Sequence, residues 1–238
     1  MANDTYGVKE QLAKVRSRIA SAARHAGRAS GEVQLIAVSK THPPELVREA
    51  IAAGVTDLGE NRVQEADGKI VEVGRTAARW HLIGHLQSNK ARRAVQLFNV
   101  IHSLDSVSLA RKLDRACHDL KRDALPVLIQ VDLGHEATKS GVDERELPQL
   151  IETLKSCERL SLIGLMTLPP FFDDAELTRP FFSQLRELRD RYSFSGTFGE
   201  HRGELSMGMT HDFEVAIEEG ATMVRVGTAI FGERGRAK

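Results

Sequence analysis

The chain has 238 residues, enough for one large domain with a substantial core. Its 33 Lys plus Arg balance 33 Asp plus Glu, so no net field draws it onto nucleic acid or an anionic membrane. The first ten residues hold no apolar signal core, and no stretch approaches the roughly 20 apolar residues that span a bilayer, so a cytoplasmic protein with a small-molecule partner is expected.

A helix is expected over about Thr5 to Ala26, followed by short β-branched runs that alternate with helical patterns. Strands are predicted at Val33–Ser39, Val55–Gly59, Trp80–Gly84, Val100–Leu104, Val127–Leu133, Leu160–Thr167, Glu204–Gly208 and Met223–Gly227. Helices are predicted at Pro44–Ala53, Asn61–Val73, Ser88–Phe98, Ser106–Leu120, Leu147–Cys157, Ala175–Arg191 and His211–Glu219, the last with Thr210 as N-cap. Eight such units predict an α/β fold, a single (β/α)8 TIM barrel over residues 33–232 with an additional N-terminal helix in 1–30, and one domain across 1–238. An open doubly wound sheet would carry GxGxxG after its first strand, where this chain has SKTHPP. The Gly- and Ser-rich stretch Ser193–Gly203 reads as a loop, and Cys117 and Cys157, outside any CxxC pattern, read as reduced thiols.

Reactive groups of a TIM barrel belong at the C-terminal strand ends. Lys40 follows the first strand there, and an amine between a dry interior and solvent is cheaper to deprotonate and can condense with a carbonyl. The aldehyde most often held in this way is pyridoxal 5'-phosphate (PLP), although most lysines after strands are solvated surface groups. The ends of strands seven and eight offer Ser206, Gly208, Gly227 and Thr228, either as a phosphate cradle or as simple turns. Arg225 alternates with Gly227 and points inward, toward a ligand or into an ion pair with Asp57 or Asp132. At a pyridine nitrogen, a guanidinium would keep that nitrogen unprotonated and the ring a poorer electron sink.

Asn61 reads first as a helix cap, and otherwise as a donor to the cofactor's phenolic oxygen. Met166 faces inward if Gly164 does, and reads as packing. His81 and His85 diverge on a strand and its loop, which argues against a metal pair, and no metal is expected. Lys139 and Gly141 read as a solvated loop near the mouth.

Seven segments in order, AVSKTHP, LGENRVQE, WHLIGHLQSNK, KSGV, GLMTLPP, SMGMTHDFEVAI and GATMVRVGTAIFG, resemble the PLP homeostasis protein family, also called the YggS or proline synthetase co-transcribed family, from about Val33 to Gly232. The resemblance implies a barrel like the N-terminal domain of alanine racemase and PLP held as a Schiff base on Lys40. It also implies phosphate ligands Ser206, Gly227 and Thr228, Arg225 near the pyridine nitrogen and Asn61 near the ring. It implies PLP homeostasis without efficient catalysis, with apo PLP-dependent enzymes as possible recipients. Leu58 stands where the family often has Phe, and His85 where it often has Pro.

The alternative is a PLP-dependent amino-acid racemase, which needs an acid and a base on opposite faces of the cofactor. Lys40 serves one face, but Tyr6 lies in the leading helix and Tyr192 at a helix end, so neither tyrosine is expected at the rim. His81 remains a candidate for slow proton exchange. A Schiff-base aldolase acting on a sugar phosphate would also use a lysine and a cradle, and bound PLP decides against it. A monomer or weak dimer is expected.

Overall fold

The computed structural model describes residues 7–135 and 140–232. Tyr6, the start of the expected leading helix and Lys139 lie outside the described residues. Eight parallel strands form a closed barrel in chain order: β1 (Gln34–Val38), β2 (Asp57–Glu60), β3 (Arg79–Leu82), β4 (Val100–Leu104), β5 (Leu125–Gln130), β6 (Leu160–Met166), β7 (Glu204–Met209) and β8 (Met223–Val226). β8 pairs back onto β1 with Ile36 opposite Arg225, so no strand edge is left to aggregate. The helices are α1 (Val8–His25), α2 (Pro44–Ala52), α3 (Val63–Val73), α4 (Ala91–Leu97), α5 (Val107–Asp119), α6 (Leu147–Lys155), α7 (Arg179–Ser193), α8 (Phe213–Glu218) and α9 (Thr228–Phe231).

Periodicity explains the outer layer. On α5 the buried residues Leu109, Ala110, Leu113, Ala116 and Cys117 recur at helical spacing, and Ser106 caps the helix by accepting from the Leu109 N–H at 3.3 Å. The leading helix α1 buries Leu12, Val15, Ile19 and Ala23 and packs against α2, α8 and α9. Arg28, just beyond it, donates to the carbonyls of Ile217 and Ala221 at 2.9 and 2.8 Å, tying the helix to the last βα unit.

Departures from expectation lie at element ends. The helix expected over Ser88–Phe98 begins as a 3-10 turn, Ser88–Lys90, before α4, and that expected from Ala175 begins as a 3-10 turn, Ala175–Thr178, before α7. Helix α3 starts at Val63, so Asn61 lies before its N-cap position, which Arg62 occupies without a side-chain cap bond. Thr210 is not the cap of α8. Asp212 holds that position, and its carboxylate accepts from the Met209 N–H at 2.6 Å. The fifth strand ends at Gln130 because the chain then pairs with the loop before α6, through a bridge between Val131 and Val142.

Inside the barrel, Ile36, Val100, Leu128, Ile163, Met166 and Met223 form an apolar cluster separate from the larger core between strands and helices. Strand β6 passes so close to β7 that a Cβ on Gly164 would lie 2.5 Å from the Glu204 nitrogen and 2.6 Å from its carbonyl carbon. Gly164→Ala should therefore force these strands apart and destabilise the protein by about 1–3 kcal/mol. A urea midpoint unchanged from wild type would show that the seam has slack.

Candidate functional site

Lys40 lies half-buried two residues past β1, in a turn that the neighbouring unit holds. The Ser39 N–H donates to the Gly59 carbonyl at 3.0 Å, and its hydroxyl donates to Glu60 Oε1 at 2.6 Å. Lys69 of α3, itself buried, donates to the Ser39 carbonyl and to Glu60 Oε1, both at 2.6 Å. Burial pushes the Glu60 carboxyl up from its ordinary pKa against the pull of Lys69. Thr41 has φ 65°, a left-handed conformation that is costly for a β-branched residue by about 1–3 kcal/mol, and its N–H donates to Glu65 Oε1. His42 stacks on Phe231 of α9 with ring centroids 5.1 Å apart, which fixes the turn against the end of β8. The strain and its restraints therefore surround the lysine.

Gly227 follows β8 beside β1, where a Cβ would stand 3.2 Å from the Val38 carbonyl oxygen. Its N–H donates to the Thr210 hydroxyl at 3.3 Å. Thr228 opens α9, in the first turn of a helix, where amides lack an intrahelical acceptor. Beneath this turn, Arg225 is buried, and it donates from Nη1 to Ser206 Oγ at 2.6 Å and from Nη2 to the Thr167 carbonyl at 2.9 Å. Neither Asp57 nor Asp132 pairs with it. Burial lowers its pKa to about 10, partly offset by Asp212, so it stays cationic at neutral pH.

From Ser206 a row of buried groups crosses the barrel interior. Ser206 Oγ lies 2.9 Å from His102 Nδ1, His102 Nε2 lies 2.9 Å from His81 Nδ1, and His81 Nε2 lies 2.9 Å from Asp57 Oδ1. Gln34 and Thr56 also donate to Asp57, at 2.6 and 2.8 Å. Burial depresses both imidazoles below the ordinary histidine value, His102 furthest because His81, Arg225 and Arg79 add positive charge around it. Burial works against the charge of Asp57, but its hydrogen bond and charge interaction with His81, with help from Thr56 and Arg79, hold its carboxyl below the ordinary range.

The structure thus brings Lys40, Gly227 and Thr228 to the linked ends of β1 and β8, with Arg225 beneath them, while Ser206 lies deeper, mid-way along β7 and level with Met223 at the start of β8. Asn61, half-buried, continues the inward alternation of Asp57 and Gly59 and packs on Gly84, where a Cβ would lie 2.9 Å from the Asn61 Cα. Met166 is buried in the interior cluster. Gly208 has a packing reason instead: at φ +88° a Cβ there would lie 2.6 Å from the Ala216 Cβ and 2.9 Å from the Phe213 Cα of α8. His85 turns to Asp105 at 3.3 Å, while His81 has both ring nitrogens engaged, which leaves it no lone pair for exchanging a ligand proton. Sequence reasoning missed His102, Thr210 and the Glu60–Lys69–Glu65 cluster. Inward alternation in VIHSL could have flagged His102, and the four-residue spacing of Glu65 and Lys69 could have flagged that pair.

A lysine after the first strand, an arginine within the last and a glycine turn above it define a barrel of the alanine racemase type. The family profile described as alanine racemase, N-terminal domain, matches residues 11–235. A relative from Aquifex aeolicus named pyridoxal phosphate homeostasis protein is 43% identical over 227 residues, spanning 94% of this chain and 97% of its own. Another of that name from Escherichia coli K12 is 40% identical, spanning 97% of this chain and 98% of its own. The chain belongs to this pyridoxal phosphate homeostasis protein family. Among solved structures, PipY of Synechococcus elongatus with PLP bound is 41% identical and superposes with a TM-score of 0.79 over 94% of this chain and 100% of its own. Alanine racemase from Corynebacterium glutamicum, at 18% identity and a TM-score of 0.66, covers 95% of this chain and 62% of its own and shares the fold.

The two depressed imidazoles carry a stability consequence. Each binds fewer protons folded than unfolded, so the stability it contributes is present above the ordinary value of 6.5 and is lost as pH falls below it. Ligand-free protein should lose up to about 1.4 kcal/mol per pH unit per titrating histidine on acidification. Urea titrations from about pH 7 to 5 check this, and His102→Gln should flatten the slope.

Proposed function

We propose that this chain binds PLP through Lys40 and serves intracellular PLP homeostasis without efficient turnover. The carrying observation is the convergence of Lys40, the Gly227–Thr228 turn and a buried cationic Arg225 on one rim of the barrel. The donor set fits a phosphorylated pyridine aldehyde. An amine answers the aldehyde, helix-start amides and hydroxyls answer the phosphate, and a guanidinium answers the ring nitrogen. A side chain at Gly227 would press on the Val38 carbonyl oxygen at 3.2 Å, so the glycine keeps the backbone of this turn open to an anion.

When bound, PLP supplies an aldehyde for amine condensation and a ring able to withdraw electrons. Lys40 is the covalent anchor, and Thr228 and Gly227 hold the phosphate. Asn61 approaches the ring, and Met166 closes the interior behind it. Arg225 would present a fixed positive charge to the pyridine nitrogen and oppose its protonation, which weakens carbanion stabilisation.

The placement of the aromatic acids supports a carrier over a racemase. Helices of a (β/α)8 barrel run opposite to the strands, so Tyr192 near the end of α7 stands toward the floor, away from Lys40. Among the described residues no other tyrosine exists to protonate the second face. The proposal extends to a cytoplasmic monomer that exchanges PLP with apo-enzymes.

Borohydride treatment of the PLP-loaded protein should add one pyridoxyl mass at Lys40, and Lys40→Ala should abolish both the label and the yellow colour. Solvent deuterium exchange at amino-acid α-carbons should not exceed that of free PLP. Labelling elsewhere, or exchange far above the free cofactor, would reject the carrier reading.

A further inference from the structure

Residues 39–42 form a four-residue turn, in which the His42 N–H donates to the Ser39 carbonyl at 3.1 Å. Lys40, at the second position, keeps a negative φ, and Thr41, at the third, has φ 65°. Among hydrogen-bonded turns that combination is type II, whose third position takes glycine or asparagine. A β-branched residue there favours the type I form, which is reached by flipping the peptide between Lys40 and Thr41. The flip changes ψ of Lys40 by about 150° and reverses the direction of the Thr41 N–H. Lys40 is thus the residue whose backbone the flip would turn.

Glu65 stands where it blocks that motion. Its Oε1 accepts the Thr41 N–H, a bond that the flipped peptide would break. Lys69 fixes Glu65 in turn. Its nearly dry ammonium spends three donors, on the Ser39 carbonyl and Glu60 Oε1 at 2.6 Å each and on Glu65 Oε1 at 3.3 Å. Glu60 is wholly buried at the end of β2, so the cluster is attached to the barrel itself and not to a loop. Ser39 faces α3 through these bonds, and by strand alternation Lys40 faces the barrel mouth.

Resting on the reading that Lys40 carries the cofactor, we propose that Glu65 is a positioning residue for it, with Lys69 as its support: together they lock the 39–42 turn in the type II form that presents the Lys40 amine to the PLP aldehyde. In that condensation the Lys40 nitrogen forms a double bond to the aldehyde carbon, and the aldehyde oxygen leaves as water. A turn free to flip holds the amine in place for only a fraction of the time, and covalent capture weakens by that fraction. The phosphate and ring contacts on the β8 side do not depend on the flip.

The test compares two ligands on each protein: PLP, and pyridoxine 5'-phosphate, which has the ring and the phosphate but no aldehyde. Glu65→Ala should bind PLP about tenfold more weakly than wild type, as release of a strained left-handed residue allows, and should bind pyridoxine 5'-phosphate as wild type does. Glu65→Gln, whose carboxamide oxygen can accept the Thr41 N–H, should restore PLP affinity. Thr41→Gly supplies the residue that a type II turn prefers, so in that background Glu65→Ala should leave PLP affinity nearly unchanged. The double variant decides the matter if Glu65→Ala alone does not fold. Equal weakening of both ligands by Glu65→Ala, unchanged PLP affinity, a Glu65→Gln variant no better than Glu65→Ala, or a loss that persists in the Thr41→Gly background each overturns the lock while leaving PLP binding intact. Wild-type protein that borohydride fails to label at Lys40 overturns the PLP reading and the lock with it.

Discussion

A guanidinium enclosed in a barrel has to be solvated by the protein, and the arrangement around Arg225 answers that requirement. Water reaches almost none of it, so Ser206 and the Thr167 carbonyl take its hydrogens and Asp212 supplies opposing charge. Burial disfavours an imidazolium at either histidine of the neighbouring pair, and at His102 the same cation adds to that effect. The carboxylate that closes the row then stands at the far end, at Asp57, where a cavity of about 510 Å³ at the barrel floor keeps it near water. Hydrogen bonds thus link side chains from Arg225 to Asp57 across the interior.

The turn that carries Lys40 follows a different logic. Its geometry is imposed from outside the barrel by α3, through Lys69 on the Ser39 carbonyl and Glu65 on the Thr41 amide. A strained residue next to a reactive one persists only when its surroundings over-determine it, and here a buried ion pair and a ring stack both do so. The lysine's position is therefore a property of the second βα unit as much as of the first.

Much of this was legible in the chain before folding. The alternation of β-branched runs with amphipathic stretches announces eight βα units, because parallel strands covered on both faces must be apolar and their crossovers helical. Inward polar residues were legible too: Arg225 stands out in MVRVG because no apolar strand needs it. Partners were not. Nothing local in the sequence tells that His81 meets His102, 21 residues away, or that Arg225 meets Ser206 and not Asp57, since barrel closure and the register shift between β7 and β8 decide those contacts. Cap residues failed for a similar reason. Thr210 and Asn61 suit a helix start locally, yet Thr210 is taken by the Gly227 amide, and α3 begins two residues after Asn61.

The two cysteines bear on how such a barrel handles an aldehyde. Both are buried, and burial pushes the Cys117 thiol up to about 11 and the Cys157 thiol up as well. Thiolates are the soft competitors of amines for a carbonyl carbon, and this chain withholds its own pair from anything passing the rim. Rivalry for a captured carbonyl is left to amines, and Lys40 is set in a turn whose backbone Lys69 and Glu65 clamp in place.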